Sequence, residues 1–162
     1  MIVRRAPGPY CFEEVLRDPF RMHIFEDNPQ RTSDRDYHYE IPRDSWYSIR
    51  YRNYRKDDLY RDIDGKTACI RGLINAYPLC TIANLHGKFW SDSDLAAFKE
   101  LLEDDIYQIL KGAQTDLITE VIVPPAGIFG TSESGITESR CPAIYWHLRE
   151  RMDWLWGILR MV

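Results

Sequence analysis

Residues 117–135 decide the fold, and they read LITEVIVPPAGIFGTSESG. An apolar run at 117–123 ends at two prolines, three glycines follow at positions 127, 130 and 135, and an amphipathic segment comes next. This order predicts a strand, a glycine-rich loop and a helix. Glycine permits positive φ and close backbone approach, and the N–H groups that open a helix favour negative charge. The loop therefore either holds a phosphate or needs its glycines only for the shape of the turn.

The segment before this strand predicts a long helix. Ser91 and Asp94 have the spacing of a capping box, and Gly112 is placed to end the helix. The apolar positions recur at helical spacing, and they are Leu95, Phe98, Leu101, Leu102, Ile106, Ile109 and Leu110. A helix that leads directly into a strand indicates an α/β domain with a largely parallel sheet.

Further elements are predicted on both sides of this unit. Apolar runs predict strands at 22–25 and 79–83, and a period of two predicts a half-exposed strand at 46–54. The last helix is expected to begin near Ser139 or Arg140, with Pro142 in its first turn, and a short helix is expected at 64–72.

Composition limits the class of protein. The chain has 162 residues, 44% of them hydrophobic, which suits one domain with an ordinary core. A formal net charge of −4 argues against binding nucleic acid by bulk electrostatics, and no apolar run is long enough for a membrane span. The basic N-terminus lacks the apolar stretch of a signal peptide, so we expect a cytoplasmic protein. Four cysteines without C-x-x-C pairing predict reduced thiols and no metal site, although Cys141 lies near a helix start that would favour a thiolate.

The order of several short motifs resembles a macrodomain-like family of small proteins that is common in bacteriophages and bacteria. The motifs are Ile24-Phe25-Glu26-Asp27-Asn28, Ile70-Arg71-Gly72-Leu73-Ile74-Asn75-Ala76, Phe89-Trp90-Ser91-Asp92-Ser93-Asp94-Leu95, Val123-Pro124-Pro125-Ala126-Gly127-Ile128-Phe129-Gly130-Thr131 and Ala143-Ile144-Tyr145-Trp146-His147-Leu148. The resemblance covers most of residues 21–150. It implies one three-layer α/β/α sandwich with a mixed, mostly parallel sheet, interrupted by a charged, aromatic insertion at about 31–62.

The resemblance also implies a site for ADP-ribose or a related nucleotide, such as a cyclic nucleotide. Asp27 and Asn28 would lie near the base or proximal ribose, and Arg71, with Gly72 and Asn75, near the distal end. The residues implied at the pyrophosphate are Gly127, Ile128, Gly130, Thr131 and Ser132. The chain departs from the family pattern where Ser132 replaces an expected glycine, because a Cβ there restricts backbone approach. No additional cofactor is implied.

Two functions of different classes follow. In the first, a bacteriophage protein in the host cytoplasm binds such a nucleotide and acts against host defence or nucleotide signalling. Asp27 or a water would do any acid–base work, and with no identifiable nucleophile or metal site the question of turnover stays open.

In the second, the scaffold is a non-catalytic module that binds a host or viral protein or a second copy of itself. The insertion interleaves arginine with tyrosine, and the last helix is rich in tryptophan, which is the composition of a protein interface. The residues concerned are Arg50, Tyr51, Arg52, Tyr54, Trp154 and Trp156. Single-stranded nucleic acid is the less favoured partner because acidic residues balance the arginines.

Overall fold

The computed structural model describes residues 1–27, 70, 71, 73, 75–83, 89–114, 117–131 and 134–161. In chain order the elements are strand β1 (Ile2–Arg5), helix α1 (Phe12–Leu16), strands β2 (Arg21–Glu26) and β3 (Ala76–Leu79), a 3₁₀ turn (Asp92–Asp94), helix α2 (Leu95–Ala113), strand β4 (Glu120–Val123) and helix α3 (Pro142–Met161). The strand predicted at 46–54 and most of the helix predicted at 64–72 lie outside the described residues. None of the described helices is long and apolar enough to cross a membrane.

The described strands form one parallel sheet in the order β1-β4-β2-β3. Val121 of β4 is in register with Val3 of β1 on one side and with Met22 of β2 on the other. His23 of β2 is in register with Ala76 of β3. The prediction of an α/β fold with a largely parallel sheet is therefore confirmed. Because the strands are parallel, their carboxyl ends meet at one edge of the sheet, where ligands of α/β proteins commonly bind.

Helices α2 and α3 cover one face of this sheet. Their apolar positions pack with Met22, Ile24 and Val121 in one core cluster. The contributing helix residues are Phe98, Leu102, Ile106, Ile109, Ile144, Leu148, Met152, Leu155 and Leu159. The predicted capping box is present, since the Ser91 N–H donates to Asp94 at 3.1 Å. Both helices were predicted from their 3.6-residue period, and that prediction is confirmed.

The opposite face is covered by α1 and by the segment just before β3. Val15 and Leu16 pack there with Phe25, Ile70 and Leu73, the second core cluster. The hydroxyl of Tyr10 reaches between the two central strands, at 2.6 Å from the Ile24 carbonyl and 3.2 Å from the Ile122 carbonyl. The pairing of β2 with β4 ends at His23 and Ile122. Tyr10 therefore binds carbonyl groups at the point where these strands separate.

One predicted strand was misplaced. The run at 79–83 is not a strand, and β3 instead occupies Ala76–Leu79, with Pro78 in register with Phe25. Proline cannot donate a ladder hydrogen bond, so the sequence favoured a strand beginning after Pro78. Among the described strands β3 is at an edge of the sheet, where one side of the strand needs no ladder donor, and Pro78 fits there.

Candidate binding site at the carboxyl ends of the strands

Asp27 directly follows β2 and is fixed by both its backbone and its side chain. Its N–H donates to the Leu79 carbonyl at 2.9 Å, and its own carbonyl accepts the Ile82 N–H at 3.2 Å. The Arg71 guanidinium binds both carboxylate oxygens, with Nη2 at 2.6 Å and Nε at 2.9 Å. The Arg71 and Asp27 side chains are 1% and 0% exposed. The structure thus brings these two predicted site residues together as a buried ion pair, and in this conformation neither reaches solvent.

Asn75 lies at the other edge of the sheet, immediately before the amino end of β3. Its side-chain amide donates to the carbonyls of Val15 at 2.8 Å and Asp18 at 2.7 Å. Its backbone carbonyl accepts the His23 N–H at 2.8 Å. Asn75 therefore ties the end of α1 to the sheet, far along the strands from Asp27. The resemblance implied that Asn75 lies with Arg71 near the distal end of the ligand, but the side chain of Arg71 binds Asp27 at the carboxyl end of β2, whereas Asn75 lies at the amino end of β3.

The glycine loop after β4 has the backbone conformation that the sequence predicted. Gly127, Gly130 and Gly135 all have positive φ, at 79°, 64° and 59°. Their N–H groups, however, donate within the loop, to the carbonyls of Pro124, Ile136 and Thr131 respectively. Ile128 between them is buried in the core. The glycines therefore shape the loop, and their own N–H groups are not presented to a ligand.

A buried carboxylate that the sequence analysis missed lies beneath this loop. Glu26, at the end of β2, is 3% exposed. It accepts hydrogen bonds from the Thr81 hydroxyl at 2.9 Å and the Thr131 hydroxyl at 3.0 Å. Thr131 Oγ1 also lies 2.9 Å from Ser134 Oγ. The side chain of Thr131 thus faces a negative charge, and it is already bonded in a way that leaves no place there for a phosphate.

The amino end of α3 is also occupied by a carboxylate. Asp92 Oδ1 accepts the N–H groups of Ala143 at 3.0 Å and Ile144 at 3.3 Å. The expectation that this helix end favours negative charge is physically right, since the first N–H groups of a helix lack internal partners. The chain supplies that charge itself. A phosphate bound at the opening of α3 would have to displace Asp92.

The outer side of the loop is basic and aromatic. Arg5, the last residue of β1, passes beside Gly127, where an added Cβ would lie 3.4 Å from its Nη2 atom. The Arg149 guanidinium lies 5.5 Å from the centre of the Phe129 ring, which contacts the Tyr145 ring edge-on. Arg5 forms no ion pair or side-chain hydrogen bond with the part of the chain that the structure describes. Two arginines therefore lie beside the loop, and Arg5 is on β1, which is on the opposite side of β4 from β2 and Glu26.

The other residues predicted to bind a ligand or a partner lie either on α3 or outside the described residues. Trp154 is 43% exposed, with the Arg151 guanidinium 4.4 Å from its ring centre, and Trp146 on the same helix is 53% exposed. Trp156 is half-buried against the core. Outside the described residues lie Asn28, Arg50, Tyr51, Arg52, Tyr54, Gly72 and Ser132.

The titratable side chains Cys141 and His147 are weak candidates for catalysis. Burial raises the pKa of the Cys141 thiol, so the expectation of a favoured thiolate at this helix start is wrong. Burial likewise lowers the pKa of His147, whose ring packs edge-on against Phe98. Across the described segments, no three metal-ligating side chains lie together.

Comparison with known proteins gives one match. No curated protein and no solved structure matches the chain. One family model matches residues 7–151, which include the first half of α3 and every described strand except β1. The chain therefore belongs to that family, described as a family of unknown function (DUF7831).

Proposed function

We propose that the carboxyl ends of the strands bind a nucleotide of the ADP-ribose class, on a macrodomain-like three-layer scaffold. The observation that carries this is the loop after β4, in which three glycines have positive φ and Arg5 lies alongside Gly127. A positive-φ loop at the carboxyl end of a parallel strand lets backbone and ligand approach closely. Arg5, which has no acidic partner among the described residues, then supplies the positive charge that a pyrophosphate needs.

The charges around the loop indicate the side of the loop on which the phosphates would bind. Glu26 lies beneath the loop and Asp92 lies at the amino end of α3, so both of these positions repel an anion. Arg5 and Arg149 lie on the outer side. The N–H groups of Phe129 and Thr131 donate to no described residue and complete the set of donors. The proposed pyrophosphate position is therefore the outer surface of the loop.

The proposal is one of binding. Asp27 is the acid–base candidate at this edge of the sheet, but both of its carboxylate oxygens are bound by Arg71. Any proton transfer by Asp27 would first require this ion pair to open. In this proposal the pair organises the end of β2, and the loop makes the contacts with the ligand.

The alternative function is a protein-interaction module in which α3 docks a host or viral protein. Its support is the exposure of Trp146 and Trp154, which lie two turns apart on α3. Tryptophan is enriched among the residues that dominate binding energy at protein interfaces. The contributions of Arg50, Tyr51, Arg52 and Tyr54 belong to this alternative and lie outside the described residues.

The test is a thermal-shift and calorimetric titration with ADP-ribose, NAD, ATP and cyclic di- and trinucleotides. A ligand at 100 times its Kd stabilises the folded state by about 2.7 kcal/mol. In a domain of this size that raises Tm by roughly 5–11 °C. Arg5→Gln should weaken binding at least tenfold without lowering Tm in the absence of ligand, because Arg5 has no ion pair with the described residues to lose.

The matched control is Arg17→Gln, which removes another exposed arginine on the α1 side of the sheet, one that likewise forms no ion pair within the described part of the chain. It should leave nucleotide affinity unchanged. Equal loss in both variants would indicate only a general charge effect. No stabilisation by any nucleotide would exclude the proposal and favour the protein-interaction alternative.

A further inference from the structure

A groove of about 630 Å³ lies on the face of the sheet that carries α1, away from the glycine loop. Its lining includes Arg4, Tyr10, Glu14, Arg17, His23 and Ile122. The volume is in the range of sites that hold small molecules. Successive side chains of a strand point to opposite faces, so Arg4 lines this groove while the adjacent Arg5 belongs to the glycine loop. The two sites are separate.

His23 is the most unusual group in the groove. Its ring is 8% exposed, and Nε2 lies 3.1 Å from Asp18 Oδ2. The nitrogen that faces a carboxylate carries the proton, which leaves Nδ1 as a hydrogen-bond acceptor. Nδ1 is itself buried and has no hydrogen-bond partner among the described residues, so a ligand in the groove cannot reach it in this conformation. Burial also lowers the pKa of His23, which favours the neutral ring.

The charged groups at the groove divide into a satisfied set and an unsatisfied pair. Glu120 binds Arg4 at 2.8 Å and Arg21 at 3.1 Å, and Asp18 binds Arg21 at 3.1 Å.

The unsatisfied pair is Arg17 and Glu14, which both lie at the groove. Neither forms an ion pair or a side-chain hydrogen bond with the described part of the chain. The groove therefore offers one cation and one anion, over a lining that also contains Ala6, Pro7, Pro9, Val15 and Ile122.

We propose that this groove is a second ligand site, which binds a free α-amino acid with an apolar side chain. Arg17 binds the carboxylate, Glu14 accepts from the ammonium group, and the apolar lining holds the side chain. A ligand with only one charge would leave either Arg17 or Glu14 without its partner. The site should therefore discriminate against molecules that lack either charge, since an unpaired group at a binding site weakens affinity.

The experiment uses the full chain and three probes of one shape, namely phenylalanine, 3-phenylpropionate and phenethylamine. The first carries both charges, the second lacks the ammonium group and the third lacks the carboxylate. Binding is followed by NMR, from the backbone amides of residues 4–23 and from the His23 ring. Saturable shifts should appear with phenylalanine at affinity at least tenfold higher than with either single-charge analogue. Leucine should reproduce the result, and glycine, which has no side chain, should bind more weakly.

Two variants identify the contacts. Arg17→Gln and Glu14→Gln should each weaken phenylalanine binding at least tenfold. Because both side chains are exposed and form no ion pair with the described residues, the spectra of the variants should show an intact fold. Arg5→Gln should bind phenylalanine normally. Equal binding of either single-charge analogue, unchanged affinity in both variants, or no saturable shift with phenylalanine or leucine would each overturn the proposal. Because nucleotide binding depends on Arg5 and amino-acid binding on Arg17, failure of one leaves the other standing.

Discussion

The buried ion pair between Asp27 and Arg71 permits a quantitative prediction. Asp27→Asn keeps the shape of the side chain but removes its charge, which leaves the Arg71 guanidinium buried at 1% exposure opposite a neutral amide. Loss of one partner of a buried pair costs about 3–5 kcal/mol, because the other charge stays desolvated and uncompensated. For a domain of this size the expected fall in Tm is roughly 6–20 °C.

The control is Glu103→Gln, which makes the same kind of change in the pair between Glu103 on α2 and Arg151 on α3. Both pairs have a shortest N–O distance of 2.6 Å, but Glu103 and Arg151 are 49% and 24% exposed. An exposed pair contributes about 0–1 kcal/mol. The two variants therefore separate the effect of burial from that of distance.

The assay is urea unfolding followed by tryptophan fluorescence, with free energies obtained by linear extrapolation. Adding Arg71→Met to Asp27→Asn should recover part of the lost stability, because it removes the buried positive charge that no longer faces the Asp27 carboxylate. If Asp27→Asn costs no more than Glu103→Gln, the pair does not have the buried character that the structure gives it. In that case Asp27 would again be a candidate for direct contact with a ligand.

Two other predictions concern pH and the amino end of α3. Burial holds the pKa of His23 and His147 below the ordinary value of 6.5, so on acidification the unfolded chain binds these protons before the folded chain does. The free energy of unfolding should therefore be highest above pH 6.5 and fall as the pH drops below it. The slope is at most about 1.4 kcal/mol per pH unit for each ring. His23→Gln should flatten the urea-unfolding profile between pH 8 and 5, and an unchanged slope would show that His23 does not contribute. Asp92→Ala removes the acceptor for the first N–H groups of α3 and should cost about 0.5–2 kcal/mol in the same assay. Asp104→Ala, on α2 and without such a bond, should cost less, and equal costs would refute the cap.

Local sequence patterns predicted the elements with strong periodicity. Helices α2 and α3 carry apolar residues at 3.6-residue spacing over five turns, and β2 and β4 carry compact apolar runs. Strand β1 and helix α1 were missed, since β1 is four residues long with two arginines and α1 has five residues. Short elements of this kind depend on packing against the rest of the chain, here through Val15, Leu16 and Ile122.

The candidate site was predictable only in part. The positive φ of Gly127, Gly130 and Gly135 followed from residue type, because glycine is the residue that adopts this conformation readily. The contact between Glu26 and Thr131 joins residues 105 positions apart, and that between Asp92 and Ala143 joins residues 51 apart. Local sequence patterns do not indicate which residues far apart in the chain will be in contact. The one local signal for Glu26 was its place after Met22 and Ile24 in the alternation of β2, where an inward-facing acidic residue requires buried partners.

These two long-range contacts limit the positions at which the glycine loop could bind an anion. A helix start and a positive-φ loop both favour an anion, and the chain places its own carboxylates there, Asp92 at the helix and Glu26 under Thr131. An external phosphate would meet like charge at both positions, whereas on the outer side it would meet Arg5 next to Gly127. A ligand held on that side depends on Arg5 and leaves the internal bonds of the loop intact. Loss of nucleotide binding in Arg5→Gln with an unchanged Tm of the unliganded protein would therefore distinguish a ligand-binding loop from one whose glycines serve only its shape.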